Sequence, residues 1–431
     1  MKAGAIASPV NVVLRLWRDP AAWATAADIF AVLTALALPW STSLVAIFVL
    51  CWLGTVAWIL DYRVYFQSLK QPICFLPIAL FALAVIGTLW SDASWAARLY
   101  AIGPAAKLLV LPGLFYHFER SARGMWVFIA FLVSCTLLMA VSWIVAFDPG
   151  FTLKPQADAM RGIFVKNYID QSQEFVLCAM ALAYPIVMLL REKRIWLAAL
   201  LTAIALGFVV NMALVVVSRT ALVTMPIMLA VFAALHLKWR SNVVILCAAV
   251  LLAGLAWVIS PQLRWTATTF VRDYQIYKER NQPTSIGMRL EFWQKSLRFF
   301  AEAPLIGHGT GSTRGLFEQA ATGPKVLAAG QVIGNPHNQT LNVAVQWGIV
   351  GVIILYAMWC FHLLLFRGDG LVPWIGLLVV VQNVFTSLFN SHLFDFHEGW
   401  MYVLGVGIAG GMTLGARSEK APATPASPVQ P

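Results

Sequence analysis

The stretch SIGMRLEFWQKSLRFFAEAPLIGHGTGS (residues 285–312), followed by GNPHNQTLNVAVQWGIVG (residues 334–351), decides how the rest of the chain is read. It closes the one long polar interval in a sequence otherwise built of apolar runs. Ile286, Leu290, Trp293, Leu297 and Phe300 recur at spacings of three and four, the pattern of an amphipathic helix. Arg289, Lys295 and Arg298 occupy its other faces, so a basic helix lying on a membrane surface is expected over 286–300. Pro304 stops that helix. Gly307, Gly309 and Gly311 then make a tight turn with accessible backbone N–H groups. Asn335 and Pro336 make a second turn, which sets His337 and Asn338 at the mouth of an apolar segment.

Composition frames this stretch. With 431 residues, 60% hydrophobic and only 11% charged, the chain is not a soluble globular protein. Twelve apolar segments can be drawn, at about 22–39, 42–60, 72–90, 99–117, 124–147, 173–190, 195–215, 219–236, 242–260, 338–366, 371–391 and 398–415. Segments of about 20 apolar residues cross a bilayer as helices. The expected fold is therefore an all-α polytopic membrane protein of about 12 transmembrane helices. An even count puts both termini on one side. Arg63, Lys70, Arg120, Arg123, Arg191, Lys193, Arg194, Lys238, Arg240 and Arg367 fall on that side, which the positive-inside rule makes cytoplasmic. Outer loops are then expected at about 148–172 and 261–337, within a single membrane domain spanning 1–417. Residues 418–431, ending APATPASPVQP, read as a disordered cytoplasmic tail. Lys2, Arg15, Arg18 and Asp19 interrupt the first 20 residues, so no cleavable signal peptide is expected.

The net charge of +11 reads as topology signal and headgroup attraction rather than nucleic-acid binding. All six cysteines lie inside apolar runs without a CxxC pair, as packing residues do. His337, flanked by Asn335 and Asn338, is the candidate proton acceptor, since a neutral imidazole serves that purpose near pH 7. Arg219 interrupts an apolar run, and Arg161 and Arg289 face the same outer compartment. Arginines from three segments could clamp a diphosphate bidentately, with Lys107 a weaker member of the set. The last outer loop, from Asn390 to Glu398, holds His392, Asp395, His397 and Glu398. That cluster could hold a metal, but the reading preferred here is structural or substrate-binding, with Asp395 orienting a histidine or arginine, or binding sugar hydroxyls. DxD, HExxH and Walker signatures are absent, against nucleotide-sugar and ATP chemistry.

On Arg289, Trp293, Pro304-Leu305-Ile306-Gly307-His308-Gly309-Thr310-Gly311, then His337-Asn338-Gln339-Thr340-Leu341 and Gly348-Ile349-Val350-Gly351, the chain resembles the O-antigen ligase family (WaaL-type), within the wider O-antigen ligase/polymerase superfamily. His308 departs from the hydrophobic residue usual between those glycines. The resemblance implies a GT-C-like membrane enzyme with a large periplasmic loop containing short helices between spans nine and ten. It implies a metal-independent, inverting glycosyltransferase of the bacterial inner membrane, without a cofactor and with a periplasmic active site. The donor would be an undecaprenyl diphosphate-linked glycan and the acceptor a sugar hydroxyl of the lipid A–core oligosaccharide, in lipopolysaccharide biosynthesis. His337 would be the general base. Arg161, Arg219, Arg289, Asn338 and Asp395 would bind diphosphate and substrate. An O-antigen polymerase or a protein O-oligosaccharyltransferase using the same donor is the alternative; the latter usually carries a further soluble C-terminal region, not expected here. A membrane transporter is more remote, because no convincing internal repeat is visible.

Overall fold

The computed structural model describes residues 19–153 and 161–420, and among these every regular element is a helix. Among the described residues helices α1 (Pro20–Ala37) and α2 (Thr42–Ile59) come first, capped by the side chains of Asp19 and Ser41. The path then bends by 82° between α3 (Tyr62–Ser68) and α4 (Pro72–Ile86). A single 3₁₀ turn at Lys107–Val110 joins α5 (Trp95–Ala106) to α6 (Leu111–Phe118). Next come α7 (Gly124–Phe147), α8 (Tyr168–Ala181), α9 (Ala183–Arg191), α10 (Ile195–Leu214), α11 (Arg219–His236) and α12 (Trp239–Ile259). The polar interval holds α13 (Pro261–Arg280), α14 (Ser285–Glu302) and α15 (Thr313–Gln319). Last are α16 (Gln339–Leu365), α17 (Leu371–Thr386) and α18 (Phe396–Lys420).

Among the described residues nine helices are long and apolar enough to cross a membrane, or ten if the bent α3–α4 pair forms one span. Two shorter apolar helices, α17 and the Ala249–Ile259 part of α12, occupy the remaining expected segments. The chain is a polytopic α-helical membrane protein. Leu50, Trp58, Leu89 and Leu251 stand exposed on its outside, which suits a lipid surround. Helix α18 is the exception: 78% of its apolar window is buried, against half or less in every other span. Glycines let it sit that deep. A Cβ at Gly407 would lie 2.6 Å from Leu114 of α6.

Several expectations need correction. Helix α8 begins at Tyr168, so Asp170, Gln171 and Ser172 belong to a span and are buried rather than looped out. Asn167 caps that start by accepting from the N–H groups of Ile169 and Asp170. The interval 261–337 contains helices, as expected: Ser260 and Pro261 begin α13, and Asn281, with φ of 51°, ends it. Helix α14 covers the expected amphipathic stretch but buries Phe292, Ser296 and Phe299 instead, packing Phe292 and Phe299 on Phe317. Its expected apolar face is only partly covered: Leu297 is exposed, while Ile286, Leu290 and Trp293 line an open cavity. Finally, α18 runs through Lys420, so 418–420 are helical; 421–431, like 1–18 and 154–160, lie outside the described residues.

The glycine turn is not an open cradle of N–H groups. Helix α16 is broken at Gly348, whose φ of 61° and ψ of −157° are not helical. The turn inserts there. His308 N–H donates to Val345 O at 2.9 Å, Gly309 N–H to Gln346 O at 2.8 Å, and Ile349 N–H to Pro304 O at 2.8 Å. Gly311 N–H donates to the Gln346 side chain and Thr310 N–H to Gly87 O of the residue capping α4. Trp347 Nε1 donates to Thr310 Oγ1, which donates in turn to Ala84 O. The three glycines have φ of 66°, 86° and 83°, and a Cβ at Gly307 would meet Gln346 backbone at 2.5 Å. Substituting Gly348→Ala combines a left-handed residue with a collision against the Leu305 carbonyl. It should destabilise the protein by about 2 kcal/mol or more. Gly315→Ala, where an added methyl meets nothing within 4 Å, is the control. Thermal unfolding in detergent that is equal for the two variants would show that the joint does not hold the fold.

Candidate functional site

His337 stands between the Asn335-Pro336 turn and α16, with φ of 53°. Its N–H donates to Asn335 Oδ1 at 3.0 Å, and Ser391 Oγ donates to the same oxygen at 2.7 Å. These bonds tie the turn to the loop between α17 and α18. His337 Nδ1 lies 2.8 Å from Asn390 Oδ1, and Asn390 Nδ2 donates to Asp395 Oδ2 at 2.6 Å. A carboxylate only accepts, so the Asn390 amide must turn its oxygen towards the imidazole. His337 Nδ1 therefore carries the proton, and Nε2, which makes no hydrogen bond among the described residues, keeps its lone pair. Burial, and then the neighbouring Arg289 charge, hold His337 below its usual value against the opposing Asn390 bond. The ring is stacked near Phe292 of α14 at 6.2 Å.

A cavity of about 420 Å³ is lined by Arg219, Arg289, Thr266, Ile286, Trp293 and Phe389 among others; His337 is outside that lining but within electrostatic reach of Arg289. Arg289 faces this cavity together with the apolar side of α14. Arg219 heads α11 and is held by Asp273 at 3.2 Å and by Thr269 Oγ1 at 2.8 Å, both from α13. Arg161 lies with its guanidinium 4.7 Å over the Tyr168 ring. Tyr168 in turn is within electrostatic reach of Arg289, as is Arg219. The structure thus brings Arg219 and Arg289 onto one cavity and sets Arg161 behind the Tyr168 ring. Both polar ends of Asn338 are engaged: Oδ1 caps α16 at Leu341 N–H and Nδ2 donates to Leu388 O.

Lys107 is not part of the arginine set. It is buried in the bundle and donates to the backbone carbonyls of Phe394, at 3.1 Å, and Asp395. It thereby shapes the loop that carries Asn390 and Asp395. Burial pushes the Asp395 carboxyl up to about 6, with Lys107 opposing, and pushes His392 down to about 4. His392, Asp395 and Glu398 place potential ligand atoms within 4.8 Å of one another, a set that could hold a divalent ion. The Lys107 ammonium already supplies positive charge to Asp395 and Glu398.

Several residues here were not singled out from sequence. Asn390 is the link between His337 and Asp395, but an asparagine in a loop has no distinguishing pattern. Tyr168 was placed in a loop. Asp170 pairs with His397 at 2.7 Å, and Gln382 Nε2 donates to Gln173 Oε1 at 2.9 Å. Glu174, fully buried, has no hydrogen-bond partner on either carboxylate oxygen. The run Asp170-Gln171-Ser172-Gln173-Glu174 abutting an apolar segment was the available signal, since polar side chains at membrane depth mark function.

Comparison with known proteins adds a relative from Haemophilus influenzae, described as an uncharacterized protein. It is 27% identical over 145 residues, which is 32% of this chain and 36% of the relative. The chain thus aligns with about a third of the length of that relative. The family model described as O-antigen ligase matches residues 210–356, which include Arg219, Arg289, the glycine joint, His337 and Gly348. Over that segment, about a third of the chain, the sequence is similar to that family.

Proposed function

We propose that this protein is an O-antigen ligase of lipopolysaccharide biosynthesis. In this reading a glycan passes from undecaprenyl diphosphate to a sugar hydroxyl of the lipid A–core oligosaccharide, at the periplasmic face of the bacterial inner membrane. Both termini are then cytoplasmic. The observation that carries the reading is His337: its Nδ1 is tied to Asn390, and it lies within electrostatic reach of Arg289, which lines a cavity together with Arg219. His337 Nε2 takes the proton of the acceptor hydroxyl as the hydroxyl oxygen attacks the anomeric carbon. The bond from that carbon to the diphosphate breaks on the opposite face, which inverts the centre. The departing anion is stabilised by Arg289 and Arg219, with Arg161 contributing from behind Tyr168. Asn338 fixes the start of α16 under His337, and Asp395 sets Asn390. Ile286, Leu290, Trp293 and Phe270 give the cavity apolar walls suited to a prenyl chain. Lys107 beside Asp395 and Glu398 supports a reaction that recruits no divalent ion, so transfer should persist in excess chelator. Loss of transfer in chelator with rescue by Mg²⁺ or Mn²⁺ would instead make His392, Asp395 and Glu398 ligands.

His337→Ala should lower transfer by about 10²–10⁴ while the protein still inserts and folds. Turnover near wild type in a well-expressed variant would remove His337 from the base role.

The pH dependence has a definite sign. The base works only when neutral, and its folded pKa lies below the ordinary histidine value. The acid limb of the rate profile should therefore fall below about pH 6.5. Arg289→Gln removes a charge that disfavours the imidazolium, so the limb should move to higher pH as the maximal rate falls. An unmoved limb would separate Arg289 from the base.

Deleting the gene separates ligase from polymerase. Loss of a ligase leaves long glycan chains on the prenyl carrier and bare lipopolysaccharide. Lipopolysaccharide bearing a single repeat unit would mean that the protein is the polymerase.

A further inference from the structure

A second cavity lies at the far end of the helix that carries Arg219. Helix α11 runs from Arg219 to His236, about 25 Å at 1.5 Å per residue. Around His236 a cavity of about 240 Å³ is lined by Tyr184, Val187, Arg191, Phe232, His236 and Asp369, among others. It is therefore separated from the His337 site by most of the thickness of a bilayer core.

Its charges are arranged unusually. Arg191, at the end of α9, and Asp369, before α17, are both exposed and both face the cavity, yet they make no ion pair with each other. Arg191 Nη2 donates to the His236 backbone carbonyl at 3.4 Å. The Asp369 carboxylate has no hydrogen-bond or ion-pair partner among the described residues. Between them stands the His236 ring, within electrostatic reach of both charges. Aromatic neighbours fix it: the Tyr184, Phe232 and Trp374 rings lie 5.3, 5.2 and 5.1 Å from it. Its Nε2 is buried without a hydrogen-bond partner. A cation and an anion thus face one cavity without pairing with each other, with the His236 ring in its wall.

We propose that this cavity binds the headgroup of a phospholipid carrying a phosphate and a primary ammonium. Arg191 contacts the phosphate, and Asp369 accepts from the ammonium. A purely anionic headgroup would meet Asp369 as an opposing charge. The lipid source follows from place: the cavity sits at the ends of membrane-crossing helices, where headgroups lie. Its rim is apolar, with Leu235 58% exposed and the adjacent Leu190 50% exposed, available to the acyl chains.

The test uses the full-length protein in detergent, with bound lipid counted by native mass spectrometry. It is titrated separately with a phosphatidylethanolamine, a phosphatidylglycerol of the same chains, and inorganic phosphate. Saturable retention of the ethanolamine lipid is expected, at least tenfold tighter than the glycerol lipid. Arg191→Ala and Asp369→Asn should each weaken it at least tenfold, and Asp369→Asn should narrow the gap between the two lipids. Both side chains are exposed, so the lipid-free variants should unfold at the wild-type temperature. Equal affinity of the wild type for the two lipids would overturn the proposal without recourse to any variant. So would full competition by inorganic phosphate, which would make the site one for a free anion.

Discussion

The structure depends on a broken helix being repaired by another segment. At Gly348 α16 leaves helical geometry, and backbone groups that would have paired within the helix are left without partners. In a membrane each would cost several kcal/mol if left unpaired. The turn from Pro304 to Gly311 satisfies them, and only glycine at three of its positions permits the approach. The joint also fixes distances. Arg289 lies about four turns before it along α14, and His337 about three turns before it along α16. His308, in the middle of the turn, reaches back to the Phe299 carbonyl at 2.8 Å and so ties the turn to the end of α14. An arginine and a histidine 48 positions apart in sequence are thereby held as two ends of one frame.

Below that frame lies a concentration of polar side chains that a membrane bundle does not adopt without compensation. Isolated charges at this depth are costly, and pairing recovers only part of the cost. Asp170 with His397, Gln173 with Gln382, and Lys107 with the carbonyls of 393–395 supply that pairing. Each tie ends on α17, on α18 or on the loop between them, which carries Asn390 and Asp395. The network therefore spends stability on the one loop whose position decides which nitrogen of His337 is protonated.

Much of this was legible in the sequence, and what was missed shares one cause. Among the described residues hydropathy located the nine helices long and apolar enough to cross a membrane, because a span of apolar residues has one economical structure in lipid. The Pro-Gly and Asn-Pro punctuation located both turns and, through them, His337. Local pattern does not carry partners, however. The periodicity over 286–300 identified α14 but not its buried face, since Phe292 and Phe299 face inward only because Phe317 is there to receive them. The glycines read as donors of free N–H groups, because nothing near them in sequence reveals that α16 breaks 37 residues beyond Gly311, at Gly348. Asn390 was invisible for the same reason: its meaning lies in His337 and Asp395, one 53 residues before it and the other in the next turn.

An asparagine between the histidine and the carboxylate is also the better chemical solution here. A carboxylate bonded directly to Nδ1 would stabilise the imidazolium and raise the pKa of the ring, so that a larger fraction would be protonated and unable to accept a proton. An amide transmits the orientation without the charge. Asp395 fixes which end of Asn390 faces the ring, Asn390 fixes the tautomer, and the negative charge stays one residue removed, where Lys107 balances it. Arg289 acts from the opposite side in the same sense, disfavouring the protonated ring while offering its own charge to an incoming anion. In the proposed transfer these two effects belong together. A bound diphosphate would neutralise Arg289 and raise the basicity of His337 at the moment the acceptor hydroxyl must be deprotonated. The base would then be weakest in the empty site and strongest once donor is in place, which couples proton transfer to donor binding without any conformational change.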